Sequence, residues 1–163
     1  PPEAMKELGG SAETTVAATP EACFELVAAV DRYPSWNSEA IRRVEVLEAG
    51  SDGRPTQVRT AVHVTAGPVA RDFDLVMDVE LSEHDAVSLS RVPHEAGDAE
   101  RFEVVWRIAA GPPTRLALEL TAALEVPRLL PLGGVGERLA QEFVEAAKRE
   151  LDGSSPKASA SSS

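Results

Sequence analysis

The chain has 163 residues, of which 43% are hydrophobic and 26% charged, as expected for one soluble globular domain with a substantial core. Its formal net charge of -11 argues against nucleic acid or an anionic lipid surface as partner, because both require a basic surface. No apolar run approaches the ~20 residues of a stable membrane insertion. The single cysteine, Cys23, allows no intrachain disulfide, which fits a reducing, cytoplasmic location.

Both ends of the chain are predicted to be tails. Residues 1–11 are polar and end near two glycines, and residues 152–163 form a low-complexity run rich in serine and alanine. Segments of this composition bury too little apolar surface to offset the entropy of ordering them. We therefore expect a flexible N-terminal tail at 1–11, a folded domain at 12–151 and a disordered tail at 152–163.

The first elements of the predicted domain are a short strand and a helix. Residues 14–19 alternate weakly, which indicates an edge strand. Thr19 then stands at the N-cap position of a helix, and Pro20 takes its first position. Because a proline disfavours helical backbone in the residue before it, Pro34 predicts an extended Tyr33 and a short helix.

Several segments in the middle of the chain alternate apolar and polar residues with a period of two. In residues 72–81, Phe73, Leu75 and Met77 face one way, and the acidic residues between them face the other. This period predicts antiparallel strands with one face toward water. The other predicted strands are residues 42–48, 58–64, 86–92, 102–108 and 115–124.

The last element changes to the spacing of an amphipathic helix. From Leu132, apolar residues recur at Val135, Leu139, Phe143 and Leu151, with charged residues between them. A sheet with one apolar face must cover that face, and only this helix is long enough to do so. The sequence therefore predicts an α+β fold, a curved antiparallel sheet of six to seven strands around a long C-terminal helix, with a cavity between them.

Two stretches of the sequence resemble a known family. TPEACFELVAAVDRYPSWNSEAIRRVEVLE (19–48) resembles the opening of the polyketide cyclase/dehydrase-type branch of the START-like, Bet v 1-like (SRPBCC) superfamily. VVWRIAAGPPTRLALELTAAL (104–124) is similar to that family's two late strands. The resemblance implies a helix-grip fold with an apolar ligand cavity between sheet and terminal helix. Because the family includes aromatase/cyclases, coenzyme Q-binding proteins and lipid carriers, it leaves the chemistry open.

The candidate ligand-binding residues lie on the apolar faces of the strands, on the terminal helix and at the YPSW corner. For any one of them, ordinary core packing is the stronger interpretation, because pockets are few per protein. At the corner, Trp36 is expected chiefly to anchor the chain to the sheet and only secondarily to line the cavity. The candidates are Tyr33, Trp36, Thr60, Phe73, Leu75, Met77, Leu89, Arg91, Phe102, Val104, Trp106, Leu118, Val135, Leu139 and Phe143.

Arg91 is the one charged candidate. It shares a strand face with Val87 and Leu89, so on the concave side its guanidinium would bind a ligand carboxylate or stabilise an enolate. The alternative is an arginine at a strand end that reaches water near Pro93.

The sequence contains no recognisable catalytic or metal-binding constellation. His63, His84 and His94 lack the spacing of metal ligands, and Cys23 lies on an apolar helix face. Residues 133–136, Gly-Gly-Val-Gly, do not match a dinucleotide-binding fingerprint and are predicted to form a bendable entrance to the last helix. No cofactor or metal is therefore predicted.

The favoured function is the binding or carrying of a small hydrophobic molecule, such as a lipid, a quinone or a polyketide-like ring system, without catalysis. An aromatase/cyclase acting on a polyketide chain is the first alternative, but it needs several inward polar groups, and the sequence nominates only Tyr33, Thr60 and Arg91. A protein-interaction module with a collapsed cavity is the second alternative, and a void too small for a ligand would favour it. The sequence leaves the identity of the ligand and the oligomeric state open.

Overall fold

A seven-stranded antiparallel sheet organises the chain. The computed structural model describes residues 3–153. The described elements, in chain order, are β1 (Glu3–Val16), α1 (Pro20–Ala28), a 3-10 turn (Val30–Arg32), α2 (Tyr33–Trp36), β2 (Ile41–Ala49), β3 (Pro55–Ala66), β4 (Val69–Ser82), β5 (Ala86–Arg91), β6 (Arg101–Ala109), β7 (Thr114–Pro127) and α3 (Val135–Gly153).

The strand order is β1-β7-β6-β5-β4-β3-β2. Strands β2 to β7 pair with their neighbours in sequence, and β1 pairs along its whole length with the last strand, from Glu3 opposite Pro127 to Val16 opposite Thr114. The terminal helix α3 packs mainly on β1 and β7. This arrangement is the predicted helix-grip fold. No helix within residues 3–153 is both long and apolar enough to cross a bilayer.

The predicted alternation within the strands is confirmed. In β4, Leu75, Met77 and Val79 are buried, while Asp74, Asp78 and Glu80 on the other face are exposed. The apolar side faces α3 and the polar side faces water, because one face of each strand must be covered for the sheet to be stable.

The N-terminal tail was predicted wrongly. Strand β1 begins at Glu3, so residues 3–11 belong to the sheet, and residues 14–16 are only its end. The pattern was weak because β1 is an edge strand with few large apolar residues; Leu8 and Val16 are its buried hydrophobic side chains. At the other end, α3 continues to Gly153, and residues 154–163 of the predicted C-terminal tail lie outside the described residues.

The start of α1 follows the prediction, but the YPSW corner does not. Thr19 caps α1, since its Oγ1 accepts a hydrogen bond from the backbone N–H of Ala22 at 3.1 Å. Tyr33 was expected to be extended, yet it has helical dihedral angles (φ -52°, ψ -40°) and opens α2. Its hydroxyl donates to the carbonyl of Val27 at 2.6 Å, so a buried tertiary contact overrides the local preference that Pro34 imposes.

The start of α3 touches β1 backbone against backbone. A Cβ on Gly136 would lie 2.4 Å from the carbonyl oxygen of Gly9, and a Cβ on Gly10 would lie 2.4 Å from the amide nitrogen of Glu137. Both distances are far shorter than any van der Waals contact, so only glycine fits. Gly136 is therefore a packing residue rather than the bendable entrance that the sequence suggested, and Gly134, with φ of +79°, forms the turn before it.

Replacing Gly136 by alanine should lower the free energy of unfolding by about 2 kcal/mol, as for an over-packed core site. The clash is with backbone atoms, which no side-chain rotation relieves. It therefore outweighs the ~1 kcal/mol by which alanine favours a helix over glycine. Urea unfolding followed by circular dichroism measures the change.

Gly133→Ala is the matched control, since a Cβ at Gly133 meets nothing within 4 Å. It should alter the free energy of unfolding by no more than about 0.5 kcal/mol. Equal stability of the two variants would show that α3 has room to move away from β1.

Candidate ligand-binding site

A small cavity lies between the concave face of the sheet and α3. Its volume is about 50 Å³. Side chains from the 3-10 turn, α2, strands β2 to β7 and α3 form its wall. The lining residues are Val30, Tyr33, Ile41, Thr60, Val62, Met77, Leu89, Phe102, Val104, Leu118, Leu120, Leu139, Ala140 and Phe143.

The lining carries no charged side chain, and Thr60 and Tyr33 supply its only side-chain hydroxyls. Tyr33 uses its hydroxyl hydrogen within the protein, on the carbonyl of Val27. The Oγ1 of Thr60 is buried and has no hydrogen-bond partner among the residues that the structure describes. A buried hydroxyl without a partner costs about 1–3 kcal/mol, so Thr60 is the group with most to gain from a polar atom placed in the cavity.

Tyr33 is held in its neutral form. Burial raises the pKa of its phenol far above the usual range and outweighs the opposing effect of the nearby indole of Trp106. The indole N–H of Trp106 itself makes no hydrogen bond to any of residues 3–153. Near neutral pH, Tyr33 is therefore a fixed part of the wall rather than an acid or base.

Four aromatic rings, those of Tyr33, Trp36, Trp106 and Phe143, form an aromatic cluster, of which Tyr33 and Phe143 line the cavity. Phe143 is its centre, with ring centroids 5.5 Å from Trp36, 5.6 Å from Tyr33 and 5.6 Å from Trp106. The ring planes in these three contacts cross at 71–78°, the edge-to-face geometry that aromatic quadrupoles favour.

A second space, an open groove of about 730 Å³, has Trp36 among its lining residues. We call it the outer groove. It runs between α1, α2 and the C-terminal end of α3, and most of its lining side chains are small or apolar. The residues are Ala17, Ala18, Thr19, Ala22, Glu25, Leu26, Ala29, Arg32, Ser35, Trp36, Glu150 and Leu151.

The cavity brings together part of the predicted ligand-binding set. The candidates that line it are Tyr33, Thr60, Met77, Leu89, Phe102, Val104, Leu118, Leu139 and Phe143. Leu75 and Trp106 are instead buried in the core, and Trp36 lines the outer groove. Phe73 lines a separate crevice beside Leu130 and Leu132, and Val135 is buried where α3 begins.

Arg91 binds groups of the β5–β6 loop instead of lining the cavity. Its side chain is 3% exposed and is absent from the cavity lining. Its guanidinium donates to the Asp98 carboxylate at 2.8 Å and to the backbone carbonyl of Glu100 at 2.9 Å. Arg91 therefore holds the β5–β6 loop, and its guanidinium is not available to a ligand in the cavity.

Five lining residues were not among the candidates. Val62 and Leu120 share strand faces with Thr60 and Leu118, so extending the period-two pattern by one step would have found them. Ala140 lies one helical turn before Phe143 on α3 and follows from the helical period in the same way. For Val30 and Ile41, the sequence offers no signal, since only the fold of the corner brings them to the cavity.

No group of histidine, cysteine and carboxylate side chains suitable for a metal ion occurs in the described part of the chain. His63 instead contacts Asp72 across the β3–β4 pair at 2.5 Å. Cys23 is fully buried, and burial raises the pKa of its thiol to about 11, so a nucleophilic thiolate is not available near neutral pH.

The ion pair of Arg91 should make stability depend on pH. The hydrogen bond from Arg91, followed by the backbone N–H of His94, holds the pKa of Asp98 well below its usual value of 3.8. A carboxylate of this kind stabilises the fold above its unfolded pKa and loses that contribution as the pH falls toward its folded pKa. Asp98→Asn should therefore lower the urea midpoint at pH 7, and the difference from the wild type should narrow below pH 3.8.

Glu95→Gln is the matched control. It removes an exposed carboxylate from the same loop and leaves the Arg91–Asp98 ion pair intact. It should leave the urea midpoint unchanged across this range. A difference between wild type and Asp98→Asn that stays constant from pH 7 to pH 3 would contradict the assignment.

Comparisons with known proteins agree with this architecture. The family model described as polyketide cyclase / dehydrase and lipid transport matches residues 16–148. A comparison with curated proteins found no match. A START superfamily protein from Mycobacterium smegmatis has a similar solved structure, with a TM-score of 0.59 and 24% sequence identity over 95% of this chain and 99% of that one.

Two further solved structures share the fold. A protein from Thermus thermophilus has a TM-score of 0.59 and 21% identity, covering 96% of this chain and 100% of its own. The di-domain aromatase/cyclase StfQ of the steffimycin biosynthetic pathway has a TM-score of 0.60 and 15% identity, covering 88% of this chain and 44% of its own. Since the family model spans most of the chain and the helix-grip architecture agrees with it, the protein belongs to the polyketide cyclase / dehydrase and lipid transport family.

Proposed function

We propose that the protein binds a small, neutral hydrophobic molecule between its sheet and α3. The observation that carries this proposal is the cavity wall, which is apolar and uncharged and contains the buried, unpartnered hydroxyl of Thr60. Such a wall favours a ligand that is mostly hydrocarbon and carries a neutral acceptor, such as a carbonyl oxygen. A charged ligand would lose its hydration without gaining a counter-charge.

The same wall supports binding rather than cyclisation. An enzyme that folds and dehydrates a polyketide chain moves protons, which requires groups whose pKa lies near the working pH. Tyr33 is the one ionisable lining residue, and its pKa is raised far from neutrality. Arg91, the other ionisable group that the sequence nominated, forms an ion pair with Asp98. The StfQ relative is an aromatase/cyclase, but the residues around this cavity favour a carrier.

The cavity is too small, as it stands in this structure, to hold the proposed ligand. About 50 Å³ is a third of the ~150 Å³ that holds one benzene in an apolar protein cavity. We therefore take the structure to be the closed form, in which side chains must move before a ring system enters. The small volume also favours a second candidate, a protein-interaction module whose cavity has collapsed.

Binding of matched probes separates the two candidates. α-Tetralone and tetralin have nearly the same size and shape, and only the former carries a carbonyl. For a carrier, both should raise the melting temperature and bind in isothermal titration calorimetry, and α-tetralone should bind more tightly. Native mass spectrometry of protein purified from its own host should also retain an apolar ligand. No binding of either probe and no retained ligand would favour the interaction module.

Replacing Thr60 by valine should make the protein more stable and a poorer binder of α-tetralone. The change removes the unpartnered hydroxyl at nearly constant volume, so the free energy of unfolding should rise by about 1 kcal/mol. The affinity for α-tetralone should fall roughly three- to tenfold, as for one net hydrogen bond, while the affinity for tetralin stays the same. Calorimetry with both probes measures the change.

Thr121→Val is the matched control, because Thr121 is exposed on β7, away from the cavity. It should leave both affinities unchanged. An equal loss of affinity for the two probes in Thr60→Val would indicate a change of shape rather than the loss of a hydrogen bond.

A further inference from the structure

We infer that the protein associates with itself head to tail, with Leu129 of one copy seated in the outer groove of the next. The contact joins the turn at residues 127–130, between β7 and α3, to the groove beside α1, α2 and the end of α3. Each copy offers one turn and one groove, so a second copy supplies the side chain that fills the groove. This surface is separate from the cavity, and the inference does not depend on the proposed function.

Leu129 protrudes from a turn that hydrogen bonds hold in place. Its side chain is 88% exposed, more than twice the exposure of any other exposed large hydrophobic residue within 3–153. The backbone N–H of Leu130 donates to the carbonyl of Pro127 at 3.0 Å and closes the turn. The Lys6 ammonium donates to the carbonyl of Leu130 at 2.7 Å, and the Leu130 side chain is buried. Because Leu130 is fixed at its backbone and its side chain, the turn directs Leu129 toward solvent.

The outer groove has the composition and the room to receive a leucine side chain. Four alanines give it a wall of small side chains, and Leu26, Trp36 and Leu151 add apolar surface. Leu26 and Trp36 are only partly buried, so an aliphatic side chain placed against them would remove further apolar area from water. With a volume of about 730 Å³, the groove also has space for the turn that carries Leu129.

The charges of the turn and the groove are complementary. Arg128 is the only charged residue in 127–136, and its guanidinium has no hydrogen-bond or ion-pair partner among residues 3–153. The groove lining contains the carboxylates of Glu25 and Glu150 and one cation, Arg32. Glu25 binds Arg54 but keeps a side chain that is 61% exposed. Because two copies of a chain with net charge -11 repel each other on average, contact through a cationic turn and a net acidic groove opposes that repulsion.

The turn and the groove lie at opposite ends of the molecule and do not meet within one copy. Strand β1 begins at Glu3, opposite Pro127 of the turn, and ends at Val16, next to Ala17 of the groove lining. Its 14 residues span roughly 40 Å. A contact between opposite ends leaves a turn and a groove unused in every assembly, so it produces an open chain of copies rather than a closed dimer.

Sedimentation velocity measures the association of the full chain. A contact this small binds weakly, with a dissociation constant of about 10 µM to 1 mM, so the sedimentation coefficient of the wild type should rise with concentration across that range. Leu129→Ser and Ala22→Arg should each remain monomeric. Both residues are exposed, and circular dichroism should show both variants to be folded. Ala22→Arg makes the chain less negative, so loss of association in this variant would reflect the blocked groove rather than general repulsion.

A mixture of the two variants gives the decisive measurement. Leu129→Ser keeps an intact groove and Ala22→Arg keeps an intact turn, so together they should form one-to-one dimers. These dimers should not grow, because the turn and the groove that they leave unused are the altered ones. Leu47→Ser is the matched control, since it removes another exposed hydrophobic side chain outside the groove lining. It should associate as the wild type does.

Three results would overturn the inference. A wild type that stays monomeric throughout the range would leave the groove to a small ligand or to a different protein. Association that persists in Leu129→Ser or in Ala22→Arg would place the contact on other surfaces. A mixture that stays monomeric would show that the turn and the groove do not bind each other. None of these results bears on the cavity, which the measurements with α-tetralone and tetralin test separately.

Discussion

The contact between the backbones of α3 and β1 is the constraint on which the rest of the structure depends. Gly136 and Gly9 meet at a distance that admits no Cβ, which sets the height of the helix above the sheet. Along the helix, Arg138 donates to Thr65 of β3, and Lys148 donates to the carbonyl of Thr15 of β1 at 2.7 Å. Because α3 is bound at both ends, the space beneath it depends on the size and rotamers of side chains rather than on the position of the helix.

This constraint explains why the cavity is small and where it can grow. Between the two ends of α3, the side chains facing the sheet are of very different size, from Ala140 to Phe143, and both of these line the void. Enlarging it by lifting α3 would break the glycine contact and the bonds of Arg138 and Lys148. Rotating Phe143 and Trp36 breaks no hydrogen bond. The lower-energy route to a larger cavity therefore passes through the aromatic cluster.

The periodicity of the sequence predicted the strands, the terminal helix and the apolar face, because these depend on local patterns. It did not predict which residues of the apolar face line the cavity and which pack elsewhere in the core. Phe73 and Val135 are on the expected side, but they lie away from the cavity. Arg91 was misjudged because its partner Asp98 belongs to an irregular loop, where no period applies. The first half of β1 was missed because its glycines, which signal a tail in sequence, are what α3 requires for close packing.

Core packing and ligand binding are compatible roles for the residues of the aromatic cluster. Its rings fill part of the core in this structure, and in the ligand-bound form that we propose they would present π faces to the ligand. The same burial works against acid–base catalysis at this site. A carboxyl group introduced at a lining position such as Thr60 would have its pKa raised by desolvation, and an amine would have its pKa lowered, so each would tend to stay neutral. A catalytic member of the fold would therefore need an additional polar partner for such a group, and the lining residues here supply only neutral groups.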